Sequence, residues 1–313
     1  MKILFAGTPD IAVPTLSALV QSDHEVVAVL TRTPARRGRG RTLYPSDVAV
    51  WASEHDIPLI EADSLRNAEV AQKIVETGAQ IGVVVAYGAI IPIDVLESLE
   101  YGCINLHFSA LPRWRGAAPV QRAIEAGDTV TAVDVFQLEE GLDTGPIYSS
   151  RAVQIDPDIN SGDLLDELAI LGAQDVVDVV TTIEAGVANA RPQSEEGAVY
   201  AHRITREDLE IDFTRPAAEV HNQVRACAPQ PGAYTTLPDG KRMKILRTRL
   251  TDTDATEAGT LTFTKNAVFV DAGDKALELL VVAPAGKSHM KAADWARGAR
   301  LDSGDKLGEA KGE

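Results

Sequence analysis

Residues 103–121 have the sequence CINLHFSALPRWRGAAPVQ, and the first five of them show the pattern of a short buried strand. Side chains two positions apart on a strand share a face, so Asn105 and His107 are expected to point the same way. The strand pattern stops at Ser109 and Pro112. The two polar side chains are therefore predicted to lie at the carboxyl end of their strand, which is where open α/β sheets bind ligands.

An amide beside an imidazole suits a carbonyl group whose oxygen gains negative charge during a reaction. Asn105 could donate an N–H to that oxygen, and His107 could do so if it is charged or in the right tautomer. Two structural polar residues at a strand end are the alternative interpretation of an isolated Asn-x-His pattern.

A second candidate segment has the sequence GLDTGP over residues 141–146. It lies between two alternating segments, 130–138 and 147–153, that are both predicted to be strands. Asp143 stands between the two glycines of this loop. For an isolated Asp-Thr-Gly, a plain Asx-type turn is the alternative interpretation.

The first half of the chain alternates between predicted strands (2–6, 25–30, 57–60, 81–86, 103–107, 130–138 and 147–153) and predicted helices (9–20, 46–55, 68–77 and 161–185). Residues 81–86 are almost wholly apolar, as expected for a central parallel strand that is covered on both faces. The pattern predicts a doubly wound, mostly parallel, Rossmann-like α/β domain over residues 1–188. The first turn lacks G-x-G-x-x-G, which argues against a dinucleotide site.

The remainder of the chain has a different character. Between about residues 186 and 205 the strand and helix pattern lapses into a stretch that includes Gly, Pro, Ser and Glu, which predicts a linker at residues 189–205. After a predicted helix at 217–227, short runs of Val, Thr, Leu and Phe alternate with turn residues such as Pro-Asp-Gly at 238–240. This pattern predicts a small antiparallel β domain over residues 206–313.

Taken together, Asn-x-His-x-Ser followed by Leu-Pro and the later Leu-Asp-Thr-Gly resemble the formyltransferases that use 10-formyltetrahydrofolate. The run PRWRGAAPVQ at 112–121 narrows the resemblance to the members that act on methionyl-tRNA. The segments FAGTPD at 5–10 and PAGK at 284–287 are similar to that group as well, so the resemblance extends over nearly the whole chain. It implies an OB-like, partly open barrel for the C-terminal domain, and tRNA binding there.

The resemblance implies that the formyl group of 10-formyltetrahydrofolate moves to the α-amine of methionine on initiator tRNA, giving N-formylmethionyl-tRNA for translation initiation. Asn105 and His107 would then stabilise the oxyanion. Asp143 would hold His107 in its charged form, and would accept the amine proton directly or through water. The sequence does not distinguish between these tasks of Asp143.

The resemblance also implies which residues contact the folate co-substrate, mostly through backbone and apolar surface: Ser109, Ala110, Leu111 and Pro112. Tyr87 and Gly88 follow the central apolar strand and are expected to line the pterin pocket. Relatives often have Leu where Ala110 stands, but the position is apolar in either case.

Two basic clusters are candidates for tRNA contact. Five arginines between residues 32 and 41 include Arg39 and Arg41, which best match the family's insertion into the acceptor stem. A solvated basic loop is the alternative. The second cluster spans residues 241–249 on a predicted strand, where a hydrated sheet face is nearly as good an explanation. Gln230 stands where relatives often have Trp, which puts a stacking role there in doubt.

Composition constrains the partners and the compartment. The net charge of −16 argues against nucleic acid in general, but nearly all of it lies in residues 1–205, so the two basic clusters leave local RNA binding open. Two cysteines are too few for a disulfide framework, and we expect a reducing cytoplasm. The sequence predicts no membrane span and no metal site, and nothing in it requires more than a monomer.

Three rival functions remain open at this point. An enzyme that formylates an amino sugar on a nucleotide would share the Asn-His-Asp site, but the arginine-rich loop and the C-terminal β domain favour tRNA. A hydrolase that releases formate from the same folate would replace the amine with water and would not need the basic loop. A nucleotide-binding module without catalysis would be expected to have a glycine-rich phosphate loop.

Overall fold

The computed structural model describes residues 1–36 and 41–308. The chain forms two compact units. The first contains Met1–Gly116, Thr131–Val153 and Leu165–Tyr200, and the second contains Ala117–Val130, Gln154–Leu164 and Ala201–Glu313.

The strands are, in chain order, β1 Lys2–Gly7, β2 Glu25–Thr31, β3 Ala35–Arg36, β4 Leu43–Tyr44, β5 Leu59–Glu61, β6 Ile81–Val85, β7 Cys103–His107, β8 Arg115–Gly116, β9 Val130–Gln137, β10 Ile147–Gln154, β11 Tyr200–Ala201, β12 Tyr234–Thr236, β13 Arg242–Asp254, β14 Leu261–Phe263, β15 Val268–Asp271, β16 Lys275–Pro284 and β17 Met290–Lys291. The α-helices are α1 Val13–Gln21, α2 Asp47–Glu54, α3 Ala68–Glu76, α4 Ile93–Glu97, α5 Pro119–Glu125, α6 Ser161–Glu184, α7 Ala217–Cys227 and α8 Ala292–Gly298.

A seven-stranded sheet with the order β10-β9-β7-β6-β1-β2-β5 organises the first unit. From β5 to β7 neighbouring strands run parallel, and β9 then pairs antiparallel with β7. The predicted doubly wound, mostly parallel sheet is confirmed. Its strand order reverses between β1 and β6, and ligands of such sheets bind outside the carboxyl ends of the strands at this switch point.

The apolar pattern of the central strands explains why they lie in the middle of the sheet. All five residues of β6 are buried, as predicted for a strand that is covered on both faces. Just beyond the carboxyl ends of β1 and β6, the hydroxyl of Thr8 donates to the backbone carbonyl of Tyr87 at 2.8 Å. This hydrogen bond ties together the two loops that flank the switch point.

The second unit is built on an antiparallel sheet with the order β12-β13-β16-β15-β14, to which β17 adds by pairing with β16. On β13, Met243 and Ile245 are buried while Arg242 and Lys244 are exposed, because a strand with one face on a core alternates in this way. The predicted antiparallel β domain is confirmed. Throughout the described part of the chain, no helix combines the length and apolar character needed to cross a membrane.

Candidate active site

Strand β7 has the bounds that the sequence predicts, and it carries Asn105 and His107, the first two candidate residues. It pairs parallel with β6 through Asn105 and antiparallel with β9, where His107 lies opposite Asp134. Asn105 is partly buried, and only 7% of His107 is exposed. Within residues 1–36 and 41–308 the Asn105 side chain makes no hydrogen bond, so its amide is available to a ligand.

The tautomer of the neutral His107 ring follows from its partners. Nε2 lies 3.0 Å from the backbone carbonyl of Trp114. Because a carbonyl only accepts, Nε2 carries the proton, and in the neutral ring Nδ1 then holds a lone pair. Neutral His107 therefore offers the ligand a proton acceptor at Nδ1, and it donates from Nδ1 only when the ring is charged.

Ser109 holds the turn that presents the Trp114 carbonyl. Its fully buried hydroxyl donates to the carbonyl of Arg113 at 2.8 Å, with a longer contact of 3.4 Å to that of Trp114. Trp114 itself has a positive φ of 65°, a conformation that costs free energy for a non-glycine residue. The serine of the Asn-x-His-x-Ser motif thus acts on the histidine through the backbone.

Asp143 approaches His107 from the loop between β9 and β10. Its Oδ2 accepts a hydrogen bond from the Gly116 backbone N–H at 2.7 Å and lies 3.9 Å from His107 Nδ1. The second distance is too long for a hydrogen bond but short enough for the carboxylate to stabilise a positive charge on the ring. Asp143 has a left-handed φ of 53°, which Asp tolerates better than most residues.

A buried carboxyl group that the sequence prediction missed lies on β9. Asp134 is 0% exposed, and its Oδ2 accepts from the backbone N–H of Leu111 at 2.8 Å. Burial raises the pKa of this carboxyl to about 6, an effect that hydrogen bonds from Ser150 and the Leu111 N–H, and then the charges of His107 and Arg191, only partly oppose. The signal in the sequence was an acidic residue in the middle of an apolar strand, VTAVDVFQ.

Gln193 was also missed, because it lies in the segment predicted only as a linker. Its side-chain amide donates to the backbone carbonyls of Asp143 at 2.9 Å and Gly145 at 2.7 Å. Its oxygen accepts from the guanidinium of Arg115. No local pattern around residue 193 marks this role, since the partners lie about fifty and eighty residues away.

The residues that the resemblance assigns to folate follow the ends of β6 and β7. The loop 109–112 begins one residue after the end of β7; Ala110 is exposed, while Leu111 and Pro112 are partly buried. Tyr87 is 1% exposed; its hydroxyl donates to the carbonyl of Ala62 at 2.7 Å, and its own carbonyl accepts from Thr8, so this residue is largely enclosed by the protein. The Gly88 carbonyl accepts from Arg32 at 2.9 Å.

The basic loop is only partly described. Arg39 lies outside the described residues, and Arg41 is exposed. Arg32 forms an ion pair with Asp63 at 2.6 Å and is therefore committed to the fold of the first unit. In the second cluster, Lys241 pairs with Asp239, and Arg249 pairs with Glu278 at 2.8 Å.

The arrangement supplies the groups that an acyl transfer between an amide-like donor and an amine needs. Asn105 is a free amide donor, His107 is a proton acceptor in a fixed tautomer, and Asp143 is a carboxylate beside it. Across the described ranges, no group of three His, Cys, Asp or Glu side chains is arranged to hold a metal ion.

Comparison with known proteins gives a consistent result. Residues 1–180 match the formyl transferase family, and residues 203–300 match the formyl transferase C-terminal domain. The chain is 50% identical to a methionyl-tRNA formyltransferase of Cutibacterium acnes, over 98% of this chain and 100% of the relative. It is 45% identical to one of Streptomyces coelicolor, over 99% and 100% of the two chains.

Two solved structures show the same fold. A sugar 3N-formyl transferase superposes with a TM-score of 0.66 at 20% identity, over 92% of this chain and 99% of the other. The methionyl-tRNA formyltransferase of Clostridium thermocellum gives a TM-score of 0.56 at 16% identity, over 88% and 98% of the two chains.

Proposed function

Because this chain belongs to the formyl transferase family, we propose that it transfers the formyl group of 10-formyltetrahydrofolate to the α-amine of methionyl initiator tRNA, giving N-formylmethionyl-tRNA for translation initiation. The observation that carries the proposal is the approach of Asp143 to His107 beside the free amide of Asn105. The identities of 50% and 45% to relatives of that name, over their full lengths, support the substrate.

The reaction assigns a task to each of the three side chains. A neutral amine attacks the formyl carbon, and Asn105 donates its amide N–H to the carbonyl oxygen as that oxygen gains charge. Nδ1 of neutral His107 accepts a proton from the attacking nitrogen, because Nε2–H is committed to the Trp114 carbonyl. Asp143 stabilises the imidazolium, which returns a proton to N10 of the folate as the carbon–nitrogen bond breaks.

Folate binding is proposed for the loop Ser109, Ala110, Leu111 and Pro112 and for the turn at Tyr87 and Gly88. The loop begins one residue after β7, at the edge of the sheet where the carboxyl end of β6 also lies. Ser109 acts by shaping the turn, since its hydroxyl is already donated to the protein backbone. Ala110, Leu111 and Pro112 supply apolar surface.

Recognition of tRNA is proposed for two regions. Arg39 and Arg41 contact the acceptor stem, a role that the exposed position of Arg41 permits. Residues 206–313 form a tRNA-binding domain, which residues 189–205 join to the catalytic domain at 1–188. The exposed Arg242 and Lys244 of β13 are suitable for contacts to phosphates.

The proposed setting is the cytoplasm, where translation initiation takes place, and the proposed state is a monomer. The two cysteines, Cys103 and Cys227, are both unpaired and buried, which suits a reducing compartment.

The deciding experiment supplies formyl-labelled 10-formyltetrahydrofolate with and without methionyl-tRNA. With methionyl-tRNA present, we expect the label on the methionyl amine. With tRNA omitted, we expect little free formate. Rapid formate release without tRNA would indicate the hydrolase. Transfer to a nucleotide-linked amino sugar in preference to methionyl-tRNA would indicate the sugar-modifying rival. Absence of turnover with every acceptor would refute the enzyme itself.

A further inference from the structure

A short segment after α6 lies against the loop that carries Asp143. Arg191 and Ile147 exchange two backbone hydrogen bonds, at 2.8 and 2.9 Å, which places the segment along the start of β10. Gln193 follows two residues later and lies beside the turn between β9 and β10. The backbone pairing at Arg191 therefore holds Gln193 beside this turn.

The side-chain amide of Gln193 uses all of its strong hydrogen-bonding positions. Both hydrogens of Nε2 are donated, one to the carbonyl of Asp143 at 2.9 Å and one to that of Gly145 at 2.7 Å. Oε1 accepts from Nε and Nη2 of Arg115 at 3.1 and 3.0 Å. Since a guanidinium only donates and a carbonyl only accepts, the orientation of the amide is unambiguous.

Arg115 gives this contact its rigidity. Its side chain is 1% exposed and forms an ion pair with Glu195 at 3.2 Å, and Glu195 belongs to the same segment as Gln193. The next residue, Gly116, donates its N–H to the Asp143 carboxylate at 2.7 Å. Residues 115 and 116 therefore act on Asp143 at two points, on its carbonyl through Gln193 and on its carboxylate directly.

We propose that Gln193, held by Arg115, is a positioning residue that sets the Asp143 carboxylate at its working distance from His107. Asp143 needs such support because its φ of 53° is left-handed and its loop contains glycines at 141 and 145. Without the two hydrogen bonds from Gln193, the loop would sample other conformations, and a displacement of about 1 Å can reduce a rate roughly a hundredfold. The inference rests on the proposed function.

The first test is a double-mutant cycle between Gln193 and Asp143, measured as formyl transfer to methionyl-tRNA. Gln193→Ala should lower kcat roughly 10- to 100-fold, with the KM for folate changed less than about threefold. In an Asp143→Asn background the same change should have little further effect, because the residue through which Gln193 acts has already lost its charge. A full, multiplicative loss in that background would overturn the inference, as would an unchanged kcat in the single variant.

Two further variants refine the cycle. Gln193→Glu retains an acceptor for Arg115 but turns an oxygen toward the two carbonyls, so it should be at least as impaired as Gln193→Ala. Glu196→Gln, on the same segment and exposed, is the matched control and should leave kcat unchanged. Activity of Gln193→Glu equal to that of the wild type would contradict the assigned hydrogen bonds.

A second readout needs no substrate and separates this inference from the proposed function. The Gly116 amide is protected by the Asp143 carboxylate, so its hydrogen exchange should accelerate about tenfold or more in Gln193→Ala and remain unchanged in Glu196→Gln. Unchanged exchange of Gly116 would refute the positioning role, whatever reaction the enzyme catalyses. Failure of the wild type to formylate methionyl-tRNA would refute the proposed function, whereas an accelerated exchange in Gln193→Ala would still support the positioning role.

Discussion

Replacing Asp134 by Asn should change how the stability of the protein depends on pH. Asp134 is fully buried on β9, opposite His107, and holds the loop 109–112 through the Leu111 N–H. Burial raises the pKa of this carboxyl from an ordinary 3.8 to about 6. Asn has nearly the same shape and keeps an oxygen that can accept from Leu111, but it does not titrate.

The direction in which the free energy of unfolding changes with pH follows from proton binding. Between pH 3.8 and about 6 the folded protein holds a proton on Asp134 that the unfolded chain has lost, so the free energy of unfolding falls as the pH rises through this window. At roughly 1.4 kcal/mol for each pH unit, the whole effect is about 3 kcal/mol. About 1.4 kcal/mol of it is expected between pH 5 and pH 7.5, a range that lies above the isoelectric point of about 4.8.

The assay is urea unfolding of the wild type and Asp134→Asn, followed by circular dichroism at several pH values from 5 to 7.5. Any constant effect of the substitution cancels, because the measured quantity is how the difference in unfolding free energy changes with pH. This difference should move by about 1.4 kcal/mol in favour of Asp134→Asn as the pH rises. A difference that stays flat would show that Asp134 is ionised with an ordinary pKa in the folded protein, and a difference that moves in favour of the wild type would contradict a raised pKa outright.

Four further variants test the site and the basic loop. Asn105→Ala should lower kcat by roughly 10²- to 10³-fold in the formyl transfer assay, because it removes a donor to the developing oxyanion. Gly145→Ala should also lower kcat, by about tenfold or more, since a methyl group there would lie 1.8 Å from the backbone oxygen of Gln137. Gly141→Ala is the control and should have a milder effect, because the methyl group at residue 141 would lie nearest to the movable Thr144 side chain. Arg41→Ala should raise the KM for methionyl-tRNA and make its salt dependence shallower, by about one unit of slope for each phosphate that the loop no longer neutralises, with folate binding unchanged.

Local periodicity was sufficient to predict much of the fold. Strand β7 and helix α7 have the bounds that their patterns predicted, because burial of one face repeats every two or about 3.6 residues and is visible in the sequence. The first helix was predicted from residue 9 but begins at Val13, after a 3-10 turn. Pro14 explains the shift, because proline fits the first turn of an α-helix and not its interior.

The supporting contacts of the site could not be predicted in the same way. Nothing near residue 107 indicates that the Trp114 carbonyl fixes the tautomer of His107, and nothing near residue 193 indicates that Gln193 supports Asp143. These hydrogen bonds join residues that only the folded chain brings together, and one partner in each is a backbone carbonyl, which every residue type provides. Tyr87 is a second example: its position after the central strand suggested a pocket, but its side chain lies in the core.

The central claim is that the Asp143 carboxylate drives formyl transfer through His107, and Asp143→Asn tests it most directly. Asn keeps an oxygen for the Gly116 N–H, so the loop should be retained while the charge 3.9 Å from Nδ1 is removed. With 10-formyltetrahydrofolate and methionyl-tRNA both saturating, kcat should fall roughly 10²- to 10⁴-fold while the circular dichroism spectrum and melting temperature stay close to those of the wild type. Turnover near the wild-type value in this folded variant would reduce Asp143 to a turn residue and contradict the proposed mechanism.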